Sequence, residues 1–413
     1  MKAVLSREQV FVNDHPVITI SGSKSESNRL LILQALYPEI GISNLSDSDD
    51  TRLLQDALAD LNTYKIDIHH AGTAMRFLTA YLSAQEGRTI LLTGSDRMKQ
   101  RPISILVDAL RNLGANIEYA DEKGFPPLKI RGVTLQTDKV QIASNTSSQY
   151  ISALLLIAPS LPNGLALELK GKVTSRPYID MTCQMLRKIG CKVDVGDQSI
   201  MVYPLAKAIP VDVVVESDWS SASYFYSIVA LSEDLSVTLK SYKRNSLQGD
   251  AALGKIYKLL GVDTRFDALN DSIVLTKNEH AVVKQLYLDL TKTPDIAQTI
   301  AVSCFGLGIA CELSGLHTLK IKETDRLTAL KTEIEKLGGK VDITLDSLFL
   351  YPAEKMRPGI EINTYNDHRM AMAFAPLALK GPIEIREPDV VSKSFPSFWE
   401  AVAKTGIHAE FQR

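Results

Sequence analysis

The chain has 413 residues, 45% hydrophobic and 23% charged, with 46 Lys and Arg against 48 Asp and Glu, a net charge of −2. These values exclude a globally basic nucleic-acid coat, a polyacidic disordered chain and a disulfide-built miniprotein, and they leave room for two or three globular domains. Cys183, Cys191, Cys304 and Cys311 lie in apolar surroundings without C-x-x-C spacing, so they are expected as buried free thiols in a reducing compartment. Lys2, Arg7, Glu8 and Asp14 interrupt the N-terminus, and no signal-peptide core is visible there. One uncharged apolar run, 296–311, is shorter than a membrane span and contains Gln298, Thr299 and Ser303. It reads as a buried helix, and the chain as cytoplasmic.

In chain order, the first helix is expected at 27–36, after Ser21-Gly22-Ser23-Lys24-Ser25-Glu26-Ser27-Asn28-Arg29. Small hydroxyls, a lysine and an arginine ahead of a helix suit a phosphate or carboxylate, although the spacing is not that of a P-loop. A helix at 51–61 and a strand at 65–68 follow. Ala71-Gly72-Thr73-Ala74-Met75-Arg76 then opens a helix at 74–84, with Gly72 open to close backbone approach and Thr73 as its cap. Arg97-Met98-Lys99-Gln100-Arg101-Pro102 sets several cations around one turn before a helix at 103–113. Ser144-Asn145-Thr146-Ser147-Ser148-Gln149 is a hydroxyl-rich loop before a helix at 150–157. Further helices are expected at 222–230, 297–309 and 370–377.

A larger pattern spans these elements: an amphipathic helix, a glycine, and two short strands joined by a turn. It occurs at 103–113 with Gly114, 179–189 with Gly190, 250–260 with Gly261 and 328–337 with Gly338. Each glycine stands where a helix C-cap favours a left-handed residue, and the alternating segments after it read as half-buried strands. A fifth copy ends the chain at 398–404 with Gly406, and a sixth is expected at 51–61 followed by 65–68, without the glycine. Six units too long for a solenoid point to an α/β protein of two domains with three units each.

The last polar clusters are Pro294-Asp295, Lys322-Glu323-Thr324-Asp325-Arg326 and Asn366-Asp367-His368-Arg369. They add carboxylates for proton transfer and cations for anions. Metal-ligand spacings and a G-x-S-x-G elbow are absent from the sequence. The residues therefore point to an enzyme acting on small, multiply anionic substrates by acid–base chemistry.

Gly22-Ser23-Lys24-Ser25 with Asn28-Arg29, Ala71 to Arg76, Lys322 to Arg326 and Asn366-Asp367-His368-Arg369-Met370-Ala371 resemble the enolpyruvyl transferases that act on shikimate 3-phosphate. The resemblance runs from about Ser21 to Phe398, in the family's order. It implies an α/β (α+β) fold of two similar domains, each of three βαβαββ-type repeats in an inside-out α/β barrel, with the chain crossing twice. Residues 1–20 plus 218–413 are expected as one domain and 21–217 as the other, with the active site in an interdomain cleft that closes on the substrates. The implied reaction joins phosphoenolpyruvate to the 5-hydroxyl of shikimate 3-phosphate and releases phosphate. It needs no cofactor, metal, nucleic acid or membrane, and a monomer is expected.

Carried over by position, Asp295 resembles the base facing the shikimate hydroxyls and Glu323 the acid at the methylene, with Lys24 sharing in proton transfer. Lys24, Gly72, Arg101, Gln149, Arg326, Arg369 and Lys393 resemble the phosphoenolpyruvate site. Lys24, Ser25, Arg29, Ser147, Ser148, Gln149, Ser175, Tyr178, Asp295 and Lys322 resemble the shikimate 3-phosphate site. Thr73, Arg76 and His368 are expected in support. His70 stands where an Asn commonly precedes the Ala-Gly-Thr segment, and Thr318 where some members of the family carry Asn. The alternatives are the sister transferase acting on UDP-N-acetylglucosamine and a non-catalytic anion-binding protein on the same fold. Lys24, Arg29, Arg76, Arg97, Arg101, Lys322, Arg326, Arg369 and Lys393 are expected to converge on the cleft.

Overall fold

The computed structural model describes residues 1–7, 15–144, 147–171, 173–278 and 282–413. Glu8, Asp14, Asn145 and Thr146, named above, lie outside the described residues.

Five four-stranded sheets share one topology. Lys65–Asp67 runs parallel to Thr89–Thr93, which pairs antiparallel with Leu128–Arg131, itself antiparallel to Asn116–Tyr119. The same order recurs in Lys139–Ala143, Leu165–Lys170, Ser199–Val202 and Val193–Val195. It recurs in Val17–Ile18, Ser236–Lys240, Ser272–Lys277 and Val262–Asp267, and in Gln285–Asp289, Ala310–Ser314, Leu348–Leu350 and Val341–Ile343. In each of these four sheets the outer antiparallel pair is a hairpin, and the connection between the two parallel strands contains a helix.

The fifth sheet closes the chain on itself. Ile360–Ile362 and Ile383–Arg386 are parallel, and the N-terminal strand Lys2–Arg7 lies between Ile383–Arg386 and the C-terminal strand Ile407–Gln412. The copy at the C-terminus, which lacks a second strand of its own, thus borrows one from the other end of the chain. The sixth unit departs from expectation. Only the parallel pair Ile40–Ser43 and Val211–Val214 forms there, and Lys65–Asp67 is the first strand of the next unit rather than the end of this one. Its helix, Asp49–Ala59, ends at Asp60 with φ −127° and no glycine, so no hairpin is launched. Among the described residues none of the sheets closes into a barrel.

Five helices do end at the expected glycines. Gly114, Gly190, Gly261, Gly338 and Gly406 take φ between +79° and +101°, where a side chain is strained. The chain divides into two units, Met1–Ser21 with Glu216–Arg413, and Gly22–Val215, each with its own apolar core. All four cysteines are buried and free. Among the described residues no helix is long and apolar enough to cross a membrane.

At the centre of each unit lie three helices with almost no polar face. In Gly22–Val215 they are Lys24–Leu36, Gly72–Ser83 and Ser148–Ile157. In the other unit they are Trp219–Leu231, Ala297–Leu307 and His368–Phe374. All twelve residues of Gly72–Ser83 are buried. Small polar side chains let these helices approach and still satisfy their own groups: Ser223 bonds Thr299 at 3.0 Å and Ser303 bonds Ser227 at 2.8 Å. Five of the six begin two or three residues earlier than expected, because caps such as Ser23, Ser147, Asp218 and Asp367 start them sooner, and Ala297–Leu307 begins where expected. The polar clusters therefore lie within the first turns, on rigid elements, rather than in the loops before them.

Candidate active site

In Gly22–Val215 the first turns of the three central helices carry Lys24 and Ser25, Gly72, Thr73 and Arg76, and Ser148 and Gln149. Gln149 Nε2 donates to Thr73 Oγ1 at 3.3 Å, tying two of these turns together. Ser147 caps its helix, its Oγ accepting from the Gln149 amide at 3.4 Å. Ser175 precedes Arg176–Lys188 with φ +52° and makes no side-chain cap bond. A non-glycine residue held there stores strain, as ligand-contacting turns often do.

Arg29 is 1% exposed. Its Nε donates to Thr182 Oγ1 at 2.8 Å, Nη1 to the Ser25 carbonyl at 2.7 Å, and Nη2 to Ser152 Oγ at 2.9 Å and the Tyr178 carbonyl at 3.3 Å. The rings of Phe77 and Tyr178 lie 5.4 and 5.9 Å from Cζ. Burial pushes its pKa down to about 10. Here the guanidinium ties the Ser25 and Tyr178 backbones to Thr182 and Ser152.

Arg76 and Arg101 form a buried cationic pair. Arg76 donates to the carbonyls of Gly72 at 3.1 Å and Pro102 at 3.3 Å. Burial, and then Arg101, push its pKa down to about 10. Arg101 is 8% exposed, and its Nε meets no acceptor among the described residues. It packs so closely on Gly72 that a Cβ added there would lie 2.5 Å from Nη1. Two buried guanidiniums with no ion pair among the described residues are costly unless an anion joins them. Half-buried Lys24 likewise pairs with no acid among the described residues. Arg97, by contrast, is exposed and bonds Gln100 Oε1 at 3.4 Å in its own turn, so it reads as a surface cation.

The other unit gathers carboxylates and cations around one arginine. Arg326, 1% exposed, starts the helix Arg326–Lys336. Its Nε meets Asp367 Oδ2 at 2.7 Å, Nη2 meets Glu323 Oε2 at 2.9 Å, and Nη1 meets Asp295 Oδ1 at 3.2 Å. Asp295 also faces Lys322 Nζ at 3.4 Å and Arg369 Nη2 at 3.3 Å. Burial pushes the Asp295 carboxyl up, but Lys322, Arg369 and Arg326 together outweigh it and hold the group well below the usual carboxylate range. Burial lowers the Lys322 pKa even against the pull of Asp295. The Arg326 pKa is raised: burial opposes this, and Asp367, Glu323 and Asp295 overcome it.

Two left-handed residues in a row, Tyr365 at φ +54° and Asn366 at φ +57°, deliver Asp367 to Arg326. Lys393 Nζ donates to the Asn366 carbonyl at 2.6 Å. His368 is 2% exposed, with Nδ1 3.9 Å from Asp367 Oδ1. Of the two departures noted in the sequence, His70 faces Asp49 at 3.7 Å, and Thr318 is buried with Oγ1 lacking a partner among the described residues.

Within this unit the structure thus brings Asp295, Lys322, Glu323, Arg326 and Arg369 into one ion-paired cluster. Within Gly22–Val215 it brings Gly72 to Arg101 and Thr73 to Gln149. Sequence reasoning named Asp367 only as one member of a polar cluster that adds carboxylates, and singled out neither Ser220 nor Asp250. Asp367 carried a signal, an acid directly before an apolar helix. Its bond to Arg326, 41 positions away, carried none.

A family model described as EPSP synthase (3-phosphoshikimate 1-carboxyvinyltransferase) matches residues 60–402. A 3-phosphoshikimate 1-carboxyvinyltransferase of Bacteroides fragilis is 47% identical over 396 residues, covering 94% of this chain and 95% of its own. One of Shewanella halifaxensis is 36% identical over 411 residues, covering 92% and 95%. The EPSP synthase structure of Acinetobacter baumannii superposes with a TM-score of 0.77 over 99% of both chains at 23% identity, which supports the fold. On the family match and these relatives, the chain belongs to the EPSP synthase (3-phosphoshikimate 1-carboxyvinyltransferase) family.

Proposed function

We propose that the chain transfers the carboxyvinyl group of phosphoenolpyruvate to the 5-hydroxyl of 3-phosphoshikimate, releasing phosphate, in aromatic amino acid biosynthesis. The observation that carries the reading is the pair of carboxylates, Asp295 and Glu323, fixed on the single buried arginine Arg326 among further cations. One carboxylate can take the hydroxyl proton while the other serves the methylene, and the shared arginine keeps both oriented.

In the first step the 5-hydroxyl oxygen bonds to C2 of phosphoenolpyruvate. Its proton passes to Asp295, and the methylene takes a proton from Glu323 to become a methyl. In the second step the methyl returns a proton to Glu323, the C2–O bond to phosphate breaks, the departing phosphate takes the proton that Asp295 had accepted, and the double bond reforms. Lys24 is assigned a share in these transfers. Two phosphates at about −1.5 to −2 each, with two carboxylates, bring roughly five to six negative charges. Lys24, Arg76 and Arg101 of one unit and Lys322, Arg326, Arg369 and Lys393 of the other suit that load.

We assign Gly22–Val215 most of the 3-phosphoshikimate contacts, through Ser25, Arg29, Ser147, Ser148, Gln149, Ser175 and Tyr178, with Gly72 and Arg101 turned to phosphoenolpyruvate. The other unit is assigned the acid–base groups. The reading is of a monomeric, cytoplasmic enzyme that needs no cofactor. Incubation with both substrates, followed by a colorimetric phosphate assay, tests it. Phosphate release that depends on 3-phosphoshikimate is expected. Release that depends instead on UDP-N-acetylglucosamine would transfer the chain to the sister activity, and no release with either would leave an anion-binding protein.

A further inference from the structure

Asp250 is a buried carboxyl that the reaction above does not use. It lies in the turn Gly249–Ala252, and the residue before that turn, Gln248, is clamped between the Trp219 amide and the Ser217 carbonyl at 2.9 Å each. Asp250 is 3% exposed. One oxygen, Oδ2, accepts the Ser220 hydroxyl, while Oδ1 is buried and meets no donor among the described residues. Ser220 is the one residue of Trp219–Leu231 that is not buried. The same Ser220 Oγ lies 3.5 Å from Arg369 Nη2, and that nitrogen lies 3.3 Å from Asp295 Oδ2. A chain of polar contacts therefore runs from Asp250 through Ser220 to Arg369 and on to Asp295.

We propose that Asp250 is a positioning residue that holds the Arg369 guanidinium, through the Ser220 hydroxyl, at the angle from which it receives the substrate anion. The inference rests on the anion-binding role given to Arg369 above. The direction of the bonds supports it. A hydroxyl that donates to Asp250 must present its lone pairs elsewhere, and Arg369 is the donor they meet. A carboxyl with one oxygen left bare is an expensive way to fill a turn, and such groups are kept where their charge acts on a neighbour.

The charged groups facing Asp250 are Asp295 and Asp218, which oppose its ionisation, and Arg369, which favours it. Burial first, and then Asp295, push the carboxyl up to about 7. As pH rises through that value a negative charge appears beside Arg369 and competes with the substrate anion. Binding of the anion and loss of that proton therefore oppose each other.

The test compares Asp250→Ala, Ser220→Ala and Asp250→Asn with the wild type, reading KM for phosphoenolpyruvate, kcat and calorimetric phosphoenolpyruvate affinity on either side of neutral pH. Losing one charge-assisted hydrogen bond should raise KM by about tenfold in the two alanine variants, while kcat falls by less than about threefold. Asp250→Asn still accepts from Ser220, so its KM should stay within about threefold of the wild type below neutral pH, where the native carboxyl is uncharged. The wild-type KM, divided by that of Asp250→Asn, should climb as pH passes through neutrality. This ratio cancels the titration of the substrate itself. Ser220→Ala keeps the test decisive if Asp250→Ala does not fold. Unchanged KM in Ser220→Ala, a loss confined to kcat, or a flat ratio across pH would overturn the inference. A wild type that binds phosphoenolpyruvate without transferring it would end the functional reading alone, and the affinity ratios would still decide this one.

Discussion

Single residues decide how much of this site is chemistry and how much is support. Glu323 is held on Arg326 at 2.9 Å, so its amide replacement keeps the shape and loses the proton. Glu323→Gln is expected to retain calorimetric affinity for both substrates while kcat falls by about 10²- to 10⁴-fold, the usual worth of a positioned acid. Wild-type turnover in that variant would remove Glu323 from its assigned role. Gly72 acts through what it lacks. Arg101 occupies the space that a Cβ would take, so Gly72→Ala should push the guanidinium aside. Its KM for phosphoenolpyruvate is expected to rise about tenfold, the scale of one misplaced charge-assisted contact, with a smaller change in kcat. At this scale the sequence was informative about residue types and silent about their commitments. Lys24, Asp295 and Glu323 could be picked out as chemistry, but nothing in the order of residues says that Arg29 spends its donors on Thr182, Ser152 and two carbonyls. Those partners lie as many as 153 positions away and exist only once three helices have packed.

Elements carry the next layer of the argument. Turn chemistry is local, so the helix–glycine–hairpin units could be read from Gly114, Gly190, Gly261, Gly338 and Gly406 alone. The truncated sixth unit could not, because its two strands, Ile40–Ser43 and Val211–Val214, are separated by most of the residues of Gly22–Val215. The starts of five of the six central helices were set too late by two or three residues, since hydroxyl-rich stretches read equally as loops and as first turns. That small shift matters, because it puts Lys24, Gly72 and Gln149 on rigid helices. The ion cluster at the start of Arg326–Lys336 ties three such elements together and gives the unit a pH signature. Asp295 is depressed in the folded protein, so the stability it contributes is present above its unfolded value, about 3.9, and is lost as pH falls through its lower folded value. Asp295→Asn should lower the stability of this unit at neutral pH by about 3 kcal/mol, as expected when one partner of a buried pair is removed. The deficit in chemical denaturation should shrink as the wild type is taken into acid. A deficit independent of pH would mean that packing, and not charge, holds the cluster.

For the whole molecule, the feature that local patterns could not disclose is closure of the chain upon itself. Lys2–Arg7 completes the sheet of Ile383–Arg386 and Ile407–Gln412, and its Leu5 is fully buried between Ile383 and Ala409. Leu5→Ala is expected to cost about 2–5 kcal/mol by leaving a cavity at this seam, measured by denaturant unfolding. A loss under about 1 kcal/mol would show that the seam is dispensable. The two-unit division also changes the meaning of the near-zero net charge. Lys24, Arg326 and Arg369 stand in the first turns of helices, while across the chain 48 acids balance 46 basic residues. The central claim is that these groups move a carboxyvinyl group between two such anions. Mass spectrometry of the product formed from 3-phosphoshikimate and phosphoenolpyruvate tests it most directly. The expected result is a carboxyvinyl ether of 3-phosphoshikimate formed in step with released phosphate; phosphate without the ether, or an ether formed only on UDP-N-acetylglucosamine, would contradict it.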